Sequence, residues 1–190
     1  MNKDDFRRVL QGDKNLSGAD LSSADLRGEN LKGIDLSRAN LSRVMLEAFI
    51  VFEGYDDNYN VIYVDQRITN LQGANLEGAN LEEANLSDVD LRLANFKDGN
   101  LSKAILSGAR LSGANLSNTN LKEANLKGAN LNGADLNNAD ISGGNLREAN
   151  LSFAILNGAN LKNAFISTVY KDHISSSNAK GFDDIKWVDY

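Results

Sequence analysis

From Leu71 to Ile166 an apolar residue recurs at every fifth position without a miss. Leu71, Leu76, Leu81, Leu86, Leu91, Phe96 and Leu101 open a run of twenty such positions that continues through Ile141 to Leu161 and Ile166. Two residues before each stands a small one, as at Ala74, Ala79, Ala84, Gly99 and Ala104, and Asn or Asp usually lies between the two. A period of five fits neither a lone helix, at about 3.6, nor a flat strand, at about 2. A five-residue unit is too short to bury its own leucine, so units must stack, and fixed-period self-similarity marks a repeat architecture.

The simplest closed stack is all-β and makes each unit one side of a square. Four sides form a coil, and coils pile up like strands of a parallel sheet, ~4.8 Å apart. The large residue then fills the axis, the small one leaves room for it, and the other three positions face out. Asn and Asp bond to nearby backbone and tolerate tight geometry, which suits the corners. Leu71–Ile166 makes five coils, about 24 Å tall at that spacing. The absence of Pro agrees with backbone N–H groups feeding continuous ladders.

Leu16, Leu21, Leu26, Leu31, Leu36, Leu41 and Leu46 carry the same pattern, with looser small positions at Glu29, Ile34 and Val44. Glu29 occupies an inward slot and is expected to tilt outward. Then the chemistry breaks while the phase survives. In-phase occupancy of 47–70 would place Asp56 and Gln66 in large slots and Phe49 and Tyr59 in small ones. Burying an unpaired carboxylate costs several kcal/mol, and overpacking adds about 1–3 kcal/mol. The segment is therefore predicted to leave the coil. Two β-rich runs, Phe49–Phe52 and Val61–Val64, flank a turn-rich stretch and predict a hairpin. This excursion holds five of the thirteen aromatics: Phe49, Phe52, Tyr55, Tyr59 and Tyr63. Residues 47–70 carry five carboxylates against Arg67, a net −4 out of −6 for the chain.

The A(D/N)LXX units of Leu16–Leu46 and Leu71–Ile166, about two-thirds of the chain, resemble the pentapeptide-repeat family. The opening Phe6–Leu16 is similar to that of many cyanobacterial members. The resemblance implies a right-handed quadrilateral β-helix; the handedness comes from the resemblance. Residues 2–11 suit a short helix with Asn2 as N-cap, Asp4 and Asp5 in the first turn, and Phe6, Val9 and Leu10 on one face. Such a helix is expected to cover the first coil, which otherwise exposes strand edges. Residues beyond 166 are apolar for a tail (Val169, Tyr170, Ile174, Phe182, Ile185, Trp187, Val188) and are expected to cover the last coil. The resemblance adds a dimer interface there, as in gyrase-protecting members. The expected organisation is one solenoid domain over 1–190: an N-terminal cap helix to 14, first coils over 15–48, the excursion over 49–68, main coils over 69–168 and a C-terminal cap over 169–190.

Chemistry finds little purchase. A catalytic site needs a base, a nucleophile and a pocket. His173, the one histidine, is followed by Ser175, Ser176 and Ser177, which reads as a solvated loop. There is no Cys, and the Asp and Asn residues recur at repeat spacing without an EF-hand pattern. No enzyme, cofactor or metal is expected. The charged N-terminal stretch and the lack of a long apolar run argue against a signal peptide or membrane span, so the chain reads as cytoplasmic. A net charge of −6 argues against direct nucleic-acid binding. Some family members mimic DNA and occupy gyrase. Here the mimic candidates are Glu77, Asp98 and Asp135, but no side of the solenoid carries a ladder of like charge. The preferred reading is a non-catalytic scaffold, a monomer or a dimer through its C-terminal cap, that binds a protein partner. Phe52, Tyr55, Asp56, Asp57, Tyr59 and Tyr63 are the contact candidates, with modulation of DNA gyrase or topoisomerase by mimicry as the alternative. Whether the excursion protrudes or packs back on a coil stays open at this level.

Overall fold

The computed structural model describes residues 1–47, 49–55 and 61–189, and for 49–55 and 61–67 the backbone alone. Parallel bridges join each unit to the one a coil further on, as in Asn75 to Asn95 to Asn115 to Asp135 to Ile155. Three equivalent columns run through Asn80 and Asn100, Asn85 and Ile105, and Asp90 and Arg110, so the coil has four sides.

One unit shows why this sequence closes. The N–H of Asn115 donates down to the carbonyl of Ala94 at 2.9 Å, and that of Leu116 donates up to Asp135 at 2.7 Å. Asn118 also donates up, to Asn137 at 2.8 Å, and Thr119 closes the corner onto Leu116 at 3.3 Å. Only the N–H of Ser117 has no carbonyl to meet, and the Oδ1 of Asn115 accepts it at 3.1 Å. Every donor of the unit is thereby satisfied, which buried backbone requires. The Asn or Asp of the repeat is thus fixed by one orphan N–H per unit.

The corner itself falls elsewhere than the sequence suggests. It is made by the two residues after the large one, and Asn or Asp sits on the flat of the side, bracing the turn. The second corner residue is left-handed, with Gly at many units (Gly73 φ 66°, Gly113 φ 67°) and bulkier residues at others (Leu93 φ 60°, Phe153 φ 58°). A left-handed L-residue costs roughly 1–2 kcal/mol. Phe153 is 82% exposed, so its ring returns little of that. Phe153→Gly should therefore raise the unfolding free energy by about 0.5–1 kcal/mol after the backbone entropy of glycine is subtracted; urea denaturation measures it.

The axis is a continuous column of buried leucines, with Phe96, Ile141 and Ile166 in the same slot and mostly Ala between them, replaced at some levels by residues such as Ile34, Val44, Val89 and Thr119. Stacked amides line the outside, such as Asn120 Nδ2 to Asn100 Oδ1 at 2.9 Å and Asn100 to Asn80 at 3.0 Å.

At the base lies α1 (Lys3–Leu10), with the Asn2 side chain accepting from Asp4 N–H. Val9 is buried and Phe6 packs on the core. Asp20 has no coil below it, and its N–H turns to the Asp5 carboxylate at 3.0 Å. At the other end the ladder outlasts the sequence repeat. The strand β4 (Phe165–Ser167) lies parallel between β3 (Asn145–Leu146) and β5 (Lys186–Val188), and Lys180 bridges Asn160. Between these, α2 (Lys171–Ser175) drops Ile174 into the core, 1% exposed. His173 is therefore not on a solvated loop. It is half-buried in α2, with Nε2 2.9 Å from the carbonyl oxygen of Ala154.

The interruption after Leu46 is an antiparallel pair, β1 (Phe49–Tyr55) and β2 (Val61–Arg67), with Phe49 opposite Arg67 and Phe52 opposite Val64. The coil resumes at Thr69, and Asn70 bridges Asn30 below and Asp90 above. The seven units from Leu16 to Leu46 thus stop one side short of two coils, and the unit of Leu71 supplies the missing side.

Candidate functional site

The excursion leaves and re-enters the solenoid at a single corner, between Leu46 and Leu71. Thr69 holds its return. Its side chain fills the small slot, 0% exposed, where Oγ1 accepts from Gly28 N–H at 2.9 Å. Glu29, directly below, is half-buried, and its carbonyl accepts from Asn70 at 3.2 Å. Ahead of the excursion, Glu47 lies 3.8 Å from Arg27, which also makes a two-pronged contact with Asp25.

Of the contact candidates, Phe52 and Tyr55 lie in β1 and Tyr63 in β2, where Tyr63 pairs with Gly54. The pairing register shifts on both sides of Gly54, so the strand is kinked between Phe52 and Tyr55. Asp56, Asp57 and Tyr59 lie outside the described residues.

The three acids considered for mimicry share one side, but not as a bare anionic row. Asn95 donates to Glu77 at 3.3 Å, Asn118 to Asp98 at 3.0 Å, and Lys97 stands 3.9 Å from Asp98. Asp135 accepts the N–H of Asn137 at 3.0 Å, as the repeat demands.

Sequence reasoning passed over a second carboxylate arrangement. Asp90 is 6% exposed and takes both prongs of Arg92, Nη2 at 2.6 Å and Nε at 2.8 Å. Asp25 and Arg27 repeat this geometry, and the shared signal is Asp-Leu-Arg. The Arg92 hydrogen bonds hold the Asp90 carboxyl below its usual range, against burial, with the Arg92 N–H and the charges of Arg92 and Arg110 assisting. Asp25 is lowered by Arg27 in the same way. A depressed folded-state value means that the stabilisation is present above the unfolded value, near pH 4, and is lost as pH falls through the folded one. Stability should decline below about pH 4, and Asp90→Asn should flatten part of that decline; denaturation across the acid range tests both.

Among the described residues, no group of three or more His, Asp or Glu side chains is placed to hold a metal ion, and no helix is long and apolar enough to cross a membrane. A shallow groove of about 320 Å³ is lined by Ser22, Asn40, Ser42, Arg43, Glu82 and Glu83, and Arg43 and Glu83 are paired there at 2.9 Å.

A parallel β-solenoid of four-sided coils, each side a five-residue unit, is a narrowly defined class of protein. The family model for pentapeptide repeats matches in eight copies, over residues 15–48, 69–108, 104–143 and 145–164. The chain belongs to the pentapeptide-repeat family, and its fold is that family's right-handed quadrilateral β-helix. Among solved structures, it is 28% identical to HetL of Nostoc sp. strain PCC 7120, a protein involved in heterocyst differentiation regulation, over 88% of this chain and 83% of that one, with a TM-score of 0.36. Rfr23 of Cyanothece 51142 is 29% identical, over 83% and 92%, with a TM-score of 0.39. The pentapeptide-repeat protein alr5209 of Nostoc PCC 7120 is 33% identical over 57% and 84%, with a TM-score of 0.43. No curated protein matches the chain.

Proposed function

We propose that this chain is a non-catalytic, cytoplasmic interaction scaffold, one solenoid domain that presents the excursion of 49–68 to a protein partner and regulates it by contact. One observation supports this above the others. The hairpin interrupts the solenoid at a corner, yet the ladder closes across the gap, with Met45 bridged to Asn85 and Asn70 to Asp90. Among the described residues the coil bridges pass the hairpin by, as with Asn30 to Asn70, yet residues 49–68 hold more than a third of the chain's aromatics and half of its net negative charge. Aromatic anchors carry binding energy, and charge sets partner choice. Phe52, Tyr55 and Tyr63 would be the anchors, with Asp56, Asp57 and Tyr59 completing the surface. The segments at either end act as caps, and the scaffold binds no nucleic acid or cofactor.

The test is capture from lysate by the full chain and by a chain lacking 49–68. A specific partner retained only by the full chain supports the reading, and equal capture by both moves recognition to the coil sides. Inhibition of gyrase supercoiling by the purified protein, weakened when Glu77, Asp98 and Asp135 are neutralised, would put DNA mimicry in its place.

A further inference from the structure

The corner column that follows Leu31, Leu71, Leu91, Leu111, Leu131 and Leu151 reads Gly33, Gly73, Leu93, Gly113, Gly133, Phe153. All six are left-handed, which glycine adopts freely and bulky residues adopt rarely. Leu93 and Phe153 keep that conformation while 65% and 82% exposed, so core packing does not explain them. The Leu93 side chain leans toward Gly113, whose missing Cβ would lie 2.9 Å from its Cδ2, whereas nothing lies within 4 Å of the corresponding point at Gly133. The corner column is therefore open over Gly133, a notch with Leu93 at one end and Phe153 at the other; Ile155, two residues on from Phe153, is 45% exposed.

The notch borders the one side with a cationic balance, where Lys32, Arg92 and Arg110 face Asp90 alone. Arg92 is taken up by Asp90. Arg110 stands in a slot usually held by Asn, is exposed, and forms no ion pair among the described residues. Exposed apolar side chains beside an available arginine, at positions that cost backbone energy, describe a contact site.

We propose that this notch receives the excursion of a second copy of the chain, the two copies reciprocating to form a twofold dimer. The inference rests on the reading of the excursion as the contact element and names its partner. The excursion is acidic and aromatic, and the notch is apolar beside Arg110, an exposed cation without an ion pair among the described residues, so the two are complementary in both respects. Reciprocal docking closes the assembly, where one-way docking would build open chains.

Sedimentation velocity over a range of protein concentration tests this on the intact chain, the chain lacking 49–68, Phe153→Gly and Arg110→Glu. The expected result is a monomer–dimer equilibrium that weakens with salt, is lost without 49–68, and is weakened roughly thirtyfold by Phe153→Gly. That last variant should melt no lower than the parent, so its loss of association is not a loss of folding. A monomer at every concentration, or a dimer indifferent to both substitutions, would overturn the proposal. Partner capture that depends on 49–68 in a monomeric protein sinks self-docking and leaves the scaffold reading standing; if deletion alters neither capture nor association, both readings fall.

Discussion

Phe96→Ala should lower the unfolding free energy by about 3–5 kcal/mol. Phe96 is the one aromatic on the axis among the described residues and is 0% exposed. Coils above and below are held by their own ladders, so the space left by the ring has little freedom to collapse, and an uncollapsed cavity brings the loss toward the upper end. The small slot that follows it is also unusual. Gly99 stands where Ala is usual, and a Cβ there would come within 2.8 Å of the Phe96 carbonyl oxygen. The only other small-slot glycine is Gly144, after Ile141, where a Cβ would meet Ile141 Cγ2 at 2.9 Å. Both glycines follow a large slot that is not Leu. Gly99→Ala alone should thus cost about 1–3 kcal/mol by overpacking. With Phe96→Leu in place the same change should cost less, and a double-mutant cycle in urea reads the difference. Strictly additive losses would show that the glycine answers to something else.

The axis was legible because its signal is redundant. Leu recurs at a fixed period, and each instance reports the same inward direction. The break at 47–70 was legible for the complementary reason, since Asp56 and Gln66 in large slots contradict burial. The corner was not. Sequence marks Asn and Asp as turn formers, but their side chains serve one orphan N–H from the flat of the side, and the left-handed residue two places after Leu tolerates Gly, Asp, Glu, Leu and Phe alike. A position that accepts so many residues carries no pattern to read. The continuation past Ile166 was hidden for a similar reason. Lys180 and Lys186–Val188 extend the ladder through backbone bonds, while the core slot is filled by Ile174 from a helix, outside the five-residue phase. Arg110, Leu93 and Phe153 each depart from the usual residue of their columns, which the five-residue pattern alone does not bring together. They gain meaning only when the coil places them on one edge.

Removing residues 49–68 should leave the solenoid intact, with the unfolding free energy changed by no more than about 1 kcal/mol. The segment is twenty residues long, one coil's worth, and its removal joins Ala48 to Thr69. Leu46 and Leu71 then stand five residues apart, as every other pair does. Thr69 already occupies the buried small slot, and Asn70 already bridges both neighbouring coils, so no inward residue has to move. Taking out nineteen residues, 50–68, is the informative control. It spaces the two leucines by six and turns outward residues onto the axis on one side of the joint. In a stack whose coils contact only their neighbours, that fault breaks the ladder there. The loss should exceed ~4 kcal/mol, or appear as two separate melting transitions. Thermal melts by circular dichroism distinguish the two deletions. Equal melting of both would mean that the coil absorbs a phase error. In that case the twenty-residue length of the excursion would have no structural cause.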